Sequence, residues 1–366
     1  MKKIIFEGSG CAIVTPFTKD NTINYEEFKK LIDFQIANNT SAIIVCGTTG
    51  ESATLSDEER KHLISFTVEY VNKRCKVIAG TGSNNTSYSI SLTKYAEKVG
   101  VDAALIVTPY YNKTTQEGLV KHYTAISSAT SLPIILYNVP SRTSVNIEPK
   151  TCLELSKIDN INSIKEASGN ISQISEISSI CEDNLYIYSG NDGEIVPTIA
   201  CGGIGVISVL ANIYPAYTDL ICKSMFEGNI EKARTMQLKA YPLIKALFSE
   251  PNPIPVKYAL TKLGYDVGGV RLPLVDFSTT SWKTIDFVSF IWYFSSVEIW
   301  LIFAEIEINK KNFTFSRCRA RAIHSENCSC TFFIFLLFTL FNFFKNIIVI
   351  CKFYKPFVQV FLFLKN

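Results

Sequence analysis

Histidine is nearly absent from this chain, with three residues in 366. The eleven cysteines form no C-x-x-C pair, and the two closest are Cys328 and Cys330. A zinc site on the usual Cys and His spacings is therefore not expected, nor is any other metal or cofactor. The cysteines read instead as small buried apolar residues of a reducing compartment. No G-x-G-x-x-G turn follows the first apolar strand and no P-loop occurs, so neither a dinucleotide fingerprint nor a phosphate cradle is present. An excess of one charge is lacking too. With 36 basic and 33 acidic residues the net charge is +3, which gives no electrostatic footprint for nucleic acid. The N-terminus, M-K-K-I-I-F-E-G, has too few apolar residues before Glu7 for a signal-peptide core, and a cytoplasmic location is expected.

Glycine stops altogether at Gly269, while 18 of the 25 phenylalanines and all three tryptophans lie at or after Phe277. Residues 1–276 are therefore read as the catalytic domain and 277–366 as an atypical Phe-rich tail. A folded segment of that length needs turns, and this one has a single proline, Pro356. Thr331–Phe344 is fourteen residues without a charge, short of the roughly 20 that span a bilayer as a helix. The stretch 347–364 is broken by Lys352, Lys355 and Pro356. The tail reads as a frameshift or readthrough product rather than a native domain, with a membrane anchor as the less favoured alternative.

What is present is a regular alternation. Short apolar runs at 11–17, 42–46, 76–79, 103–108, 132–138, 160–165, 185–189 and 204–209 read as buried strands. Helical spacing marks 24–38, 56–71, 86–99, 117–129, 149–156 and 171–181 between them. Asn24 is a candidate N-cap, and Ser56 with Glu59 a capping box. Further helices are expected at 212–223, 228–248 and 253–263. Wholly apolar strands alternating with amphipathic helices imply a parallel sheet, and eight units imply a closed (β/α)8 TIM barrel followed by C-terminal helices. A doubly wound open sheet is the alternative.

In such a barrel the chemistry gathers at the C-terminal strand ends. Lys165 ends one strand, in I-K-E-A-S-G-N. A lysine amine in apolar surroundings is favoured in its free form, a nucleophile toward carbonyls. G-T-T-G-E (47–51) offers the hydroxyls of Thr48 and Thr49 and freed backbone N–H groups for a small carboxylate. Tyr137, Tyr110 and Tyr111 end two other strands, and Arg142 is a planar fork suited to a carboxylate. Taken singly, each residue fits a packing or surface role. Together, an amine, hydroxyls, phenols and one guanidinium suit Schiff-base chemistry on a small keto acid.

The motifs G-T-T-G-E (47–51), V-T-P-Y-Y-N (107–112), Y-N-V-P-S-R-T (137–143) and I-K-E-A-S-G-N (164–170) resemble those of the dihydrodipicolinate synthase family, within the class I pyruvate-dependent aldolases and lyases. The resemblance covers about 5–275. It implies a homotetramer that condenses pyruvate with L-aspartate 4-semialdehyde to 4-hydroxy-tetrahydrodipicolinate in lysine and diaminopimelate biosynthesis. Lys165 would form the Schiff base and Tyr137 would shuttle protons. Thr48 would link Tyr137 to Tyr111, which reaches in from a neighbouring subunit. Thr49 would hold the pyruvate carboxylate and Arg142 that of the second substrate. Gly190 and Ile207 match further pocket positions. N-acetylneuraminate lyases and 2-keto-3-deoxy sugar acid aldolases are the alternative within the superfamily. Thr48 and Arg142 together favour the synthase. A non-catalytic keto-acid-binding barrel would be signalled by loss of the lysine or tyrosine. The resemblance also implies weak or absent inhibition by lysine. Ser52, Ala53, Asn84 and Tyr110 match the effector site of sensitive relatives, but Arg60 and Tyr88 stand where some of those have histidine and glutamate.

Overall fold

The computed structural model describes residues 2–278. Its first half runs β1 (Gly8–Ala12), α1 (Tyr25–Ala37), β2 (Ala42–Val45), α2 (Asp57–Val71), β3 (Lys76–Gly80), α3 (Thr86–Val99), β4 (Ala103–Val107) and α4 (Gln116–Ser127). The second half continues with β5 (Ile134–Asn138), α5 (Pro140–Thr143), α6 (Pro149–Leu155), β6 (Ile161–Glu166), α7 (Ile171–Cys181), β7 (Tyr186–Ser189), α8 (Ile195–Ala200) and β8 (Gly205–Ser208). The strands close in sequence order into one barrel, each pair parallel, with β8 returning to β1. After the barrel come α9 (Pro215–Phe226), α10 (Ile230–Leu247) and α11 (Ile254–Lys262).

The closed barrel follows from strands buried on both faces. β2 (A-I-I-V) and β5 (I-I-L-Y-N) have no exposed position, as a parallel strand between side chains and helices requires. The helices start where the sequence places their caps. The Glu27 N–H donates to Asn24 Oδ1 at 3.1 Å, and Ser56 and Glu59 bond reciprocally at 3.1 and 2.9 Å. Ile44, Ile78, Leu105, Ile135 and Ile207 fill the barrel interior. The Phe6 ring stacks on Tyr188 at 4.3 Å, and the Tyr188 hydroxyl donates to the Phe6 carbonyl at 2.6 Å.

One strand boundary is corrected. The first strand is not 11–17 but Gly8–Ala12, and the apolar run that follows is not strand. Its Gly-Ser-Gly start reads as a turn by composition. It is strand because the barrel needs a small residue there: a Cβ on Gly10 would stand 2.9 Å from both Ile44 Cδ1 and the Phe6 ring. Two short helices were not anticipated. P-S-R-T forms α5, with its proline in the first turn. The other is α8, between β7 and β8. Six residues around Pro197 are too few for helical periodicity to register.

Beyond α11 the chain returns to the barrel. Arg271 grips both Glu59 oxygens at 2.7 and 2.6 Å and donates to the carbonyls of Thr54 and Asn21. Lys257 forms a fully buried pair with Glu51 at 2.9 Å and also donates to the Gly269 carbonyl. Apart from Phe277 and Ser278, the tail expected at 277–366 lies outside the described residues.

Candidate active site

Lys165 is the fifth residue of β6, and its register partner on β5 is Tyr137. Strand alternation sends both side chains to one face and their successors, Asn138 and Glu166, to the other. Lys165 is 5% exposed. Its Nζ stands 4.4 Å from the centre of the Tyr137 ring. Among the described residues neither the amine nor the Tyr137 hydroxyl has a hydrogen-bond partner. The amine is thus held by packing rather than by an acceptor.

The opposite face carries the support. Glu166 is fully buried and accepts from Asn138 Nδ2 at 2.9 Å, Gln173 Nε2 at 3.1 Å and the Ser168 N–H at 2.6 Å. Asn138 also donates to Asn146 at 2.8 Å and accepts from the Ile147 N–H at 2.9 Å. Burial pushes the Glu166 carboxyl upward, and these donors oppose the shift. The network ties the loop after β6 to the segment after α5, so Lys165 and Arg142 rest on one support.

Lys165, Tyr137, Thr48, Thr49, Arg142 and Gly190 line one cavity of about 160 Å³ at the barrel mouth. That is below the roughly 300–1,000 Å³ of sites for drug-sized ligands, so the space suits a small molecule. Gly190 makes room for the lysine, because a Cβ there would lie 2.6 Å from Ala167 Cβ and 3.2 Å from Lys165 Cε. Thr49 is buried, and its hydroxyl accepts from Asn252 Nδ2 at 2.9 Å. Arg142 is exposed at the rim and pairs with no acid among the described residues, which leaves its fork open to an anion.

Two sequence candidates lie elsewhere. Ile207, on β8, packs in the barrel interior and does not line the cavity. Tyr111 is 92% exposed, with φ +69°, and is not among the residues that line its own chain's cavity. Sequence reasoning missed Asn191, Phe248 and Asn252, which also line the cavity. It also missed Asp192, whose buried carboxylate accepts the N–H groups of Val209 at 3.0 Å and Leu210 at 2.8 Å and so joins the loops after β7 and β8. Burial pushes the Asp192 carboxyl up, against these donors. Asn191 and Asp192 had a weak signal, as polar residues directly after a strand-end glycine. Phe248 and Asn252 had none.

A closed parallel barrel that presents one buried lysine amine beside a phenol, under a rim guanidinium, is built as a lyase for small carbonyl compounds. The chain belongs to the dihydrodipicolinate synthetase family, which matches residues 5–286. It is 53% identical over 285 residues to the 4-hydroxy-tetrahydrodipicolinate synthase of Acetivibrio thermocellus, covering 78% of this chain and 97% of that protein. A crystal structure of a dihydrodipicolinate synthase superposes with a TM-score of 0.75 at 48% identity, over 77% of this chain and 98% of the other. The Acinetobacter baumannii dihydrodipicolinate synthase, solved in complex with pyruvate, superposes equally at 0.75 with 41% identity, over 77% and 97%.

Proposed function

We infer that this chain condenses pyruvate with L-aspartate 4-semialdehyde to give 4-hydroxy-tetrahydrodipicolinate, the opening step of lysine and diaminopimelate synthesis. The observation that carries the reading is the Lys165 amine, unpartnered and 4.4 Å over the Tyr137 ring, in a small cavity with hydroxyls on one side and a free guanidinium at the rim.

The amine attacks C2 of pyruvate, and the carbonyl oxygen leaves as water to give an iminium on Lys165. The positive nitrogen makes a methyl proton removable, and the resulting enamine carbon attacks the aldehyde of the second substrate. The amine of that substrate then adds to the iminium carbon and expels Lys165, which closes the ring and frees the enzyme. Tyr137 is the phenol close enough to carry protons in these steps. Thr48 and Thr49, on the glycine-flanked turn after β2, receive the pyruvate carboxylate. Arg142 takes the carboxylate of the semialdehyde in a bidentate grip. Gly190 keeps the space in which the lysine turns, and Ile207 backs the cavity from the barrel interior.

Tyr111 serves this chemistry in a homotetramer, reaching a neighbouring subunit's cavity and relaying protons through Thr48 to Tyr137. Its exposure and its place outside its own chain's cavity lining support that role. The enzyme works in the cytoplasm. All seven cysteines among the described residues are unpaired, which fits a reducing compartment, and none of the helices there is long and apolar enough to cross a membrane.

Borohydride reduction in the presence of pyruvate tests the mechanism. Peptide mass mapping is expected to find a pyruvate-derived adduct on Lys165. A label on another lysine, or none on folded protein, sinks it. Turnover of aspartate semialdehyde against N-acetylneuraminate tests the second substrate.

A further inference from the structure

The post-barrel segment holds the loop after β2 at two points. Lys257 and the Arg271 N–H bind the two oxygens of Glu51, at 2.9 Å each. Two residues earlier, Asn252 Nδ2 donates to Thr49 Oγ1 at 2.9 Å. Asn252 is 6% exposed and lines the cavity, and its Oδ1 is buried without a partner. Thr49 Oγ1 has no other partner among the described residues. An oxygen that already accepts from Asn252 has its own proton free to donate, and the open direction is the cavity.

We propose that Asn252 is a positioning residue for the keto-acid carboxylate: by donating to Thr49, it turns the Thr49 hydroxyl proton toward the bound substrate. The proposal rests on the reading that Thr49 holds the pyruvate carboxylate. Asn252 touches no reacting atom and acts through Thr49. The buried Lys257–Glu51 pair fixes the same loop two residues further on, so that a single amide can set the hydroxyl's direction.

The test is steady-state kinetics with each substrate varied, on Asn252→Asp, Asn252→Ala, Thr49→Val and the Asn252→Ala/Thr49→Val pair. Asn252→Asp keeps the side-chain shape but can only accept from Thr49, which reverses the hydroxyl. The KM for pyruvate is expected to rise about tenfold or more, as when a hydrogen bond to a charged group is lost. The KM for the semialdehyde and the thermal midpoint are expected to stay near the parent's. Asn252→Ala is expected to move in the same direction by less, and to add nothing in the Thr49→Val background. Should the alanine variant fail to fold, the aspartate variant carries the test. If Thr49→Val raises the pyruvate KM but both Asn252 variants leave it within about twofold, the positioning role is wrong and the reading of Thr49 stands. If Thr49→Val itself leaves it unchanged, the carboxylate reading falls and the proposal with it. Additive losses in the pair, or equal rises in both KM values with a lowered thermal midpoint, also overturn it.

Discussion

Asn138 and Glu166 face each other across β5 and β6, bonded at 2.9 Å, one residue beyond the Tyr137–Lys165 pair. The outward pair fixes the register that sets the inward pair. A slip of one residue would send the lysine to the helix layer and the glutamate into the cavity. Glu166 is thus placed to hold the geometry of the site without touching it.

Removing the amine should leave the barrel standing. Lys165 makes no hydrogen bond among the described residues, so Lys165→Arg or Lys165→Ala is expected to fold with a normal circular dichroism spectrum. Turnover is expected to fall by at least about a thousandfold, as for loss of a covalent nucleophile. No borohydride adduct should form. Residual activity within about tenfold of the parent would place the nucleophile elsewhere.

Gly190→Ala tests the room beside the lysine. The added methyl would meet Ala167 Cβ at 2.6 Å, the Glu166 carbonyl at 3.0 Å and Lys165 Cε at 3.2 Å. Overpacking of this kind typically costs about 1–3 kcal/mol. The lysine can swing aside, but Ala167 Cβ and the Glu166 carbonyl are carried by the backbone, so the strand end beside the lysine must shift as well. Activity is expected to fall by about ten- to a hundredfold, with a smaller change in thermal midpoint, because misplacement near 1 Å is felt by the chemistry first. Unchanged turnover would mean that the methyl is absorbed elsewhere.

Acid stability carries a signature of His122. Burial lowers its pKa to about 4, and its Nδ1 lies 2.9 Å from Thr86 Oγ1. In the unfolded chain the ring takes up its proton near 6.5. The folded state binds fewer protons between these values, so stability is lost as pH falls from about 6.5 toward 4. The loss attributable to this ring is about 2 kcal/mol by pH 5. Urea unfolding of the parent and of His122→Asn at pH 7 and pH 5 checks it. The difference between the two proteins should shift toward the variant at the lower pH. A constant difference would exclude the ring as the source.

The sequence shows the barrel because its strands are apolar runs buried on both faces, and that pattern is local. The lining of the cavity was legible in part. Lys165, Tyr137, Thr48, Thr49 and Arg142 sit at or just after strand ends, where topology gathers them, whereas Gly190 was read from the family resemblance, and Ile207 and Tyr111 do not line the cavity. Asn252 and Phe248 were not legible, since they reach the cavity from about 200 residues beyond Thr49, through the packing of post-barrel helices. Asn252 lies in E-P-N-P, which composition marks only as a turn. The Glu51–Lys257 pair is hidden for the same reason: a buried ion pair between distant charges leaves no periodic trace. The misplaced start of β1 has a different cause. Gly8 takes a φ of +93° and Gly10 meets a close-packing requirement set by Phe6 and Ile44, and one strand read in isolation shows neither.

Lysine is expected to inhibit weakly or not at all. Arg60 is buried and engaged: it donates to the Gly80 carbonyl at 3.2 Å and lies 5.5 Å over the Tyr88 ring. The Tyr88 hydroxyl in turn donates to Asp57 at 2.9 Å. At the effector position that the family resemblance implies, a fixed cation and a phenol stand where an ammonium would want a carboxylate. Loss of one partner of such a charged contact costs about 2–5 kcal/mol, more than tenfold in affinity. Half-inhibition by lysine below about 1 mM would contradict this.

The working part of the chain is expected to lie within the family match, which runs to residue 286. Arg271 binds Glu59, Thr54, Asn21 and, through its N–H, Glu51, while Lys257 is buried against Glu51. Residues up to about 276 therefore hold the loop that carries Thr48 and Thr49, and the Phe277 ring stacks on Tyr258 at 4.8 Å. The family match runs to residue 286, and the Acetivibrio thermocellus relative is covered almost whole by 285 residues of this chain. Nothing assigned to the site lies later than Asn252. A chain ending at residue 286 is expected to be soluble and to turn over pyruvate at the full-length rate or better, since the omitted stretch is rich in uncharged Phe and Leu runs that favour aggregation. A chain ending at Leu263 loses the Arg271 clamp and leaves Glu59 and Glu51 short of donors. The buried Lys257–Glu51 pair is kept and the lost Arg271–Glu59 pair is only partly buried, so that chain is expected to unfold at a lower temperature and to bind pyruvate less well, through the loosened loop after β2. Solubility, thermal midpoint and pyruvate turnover of the three lengths decide the matter. An active full-length protein beside an inactive chain of 286 residues would make the Phe-rich tail a working part of the enzyme.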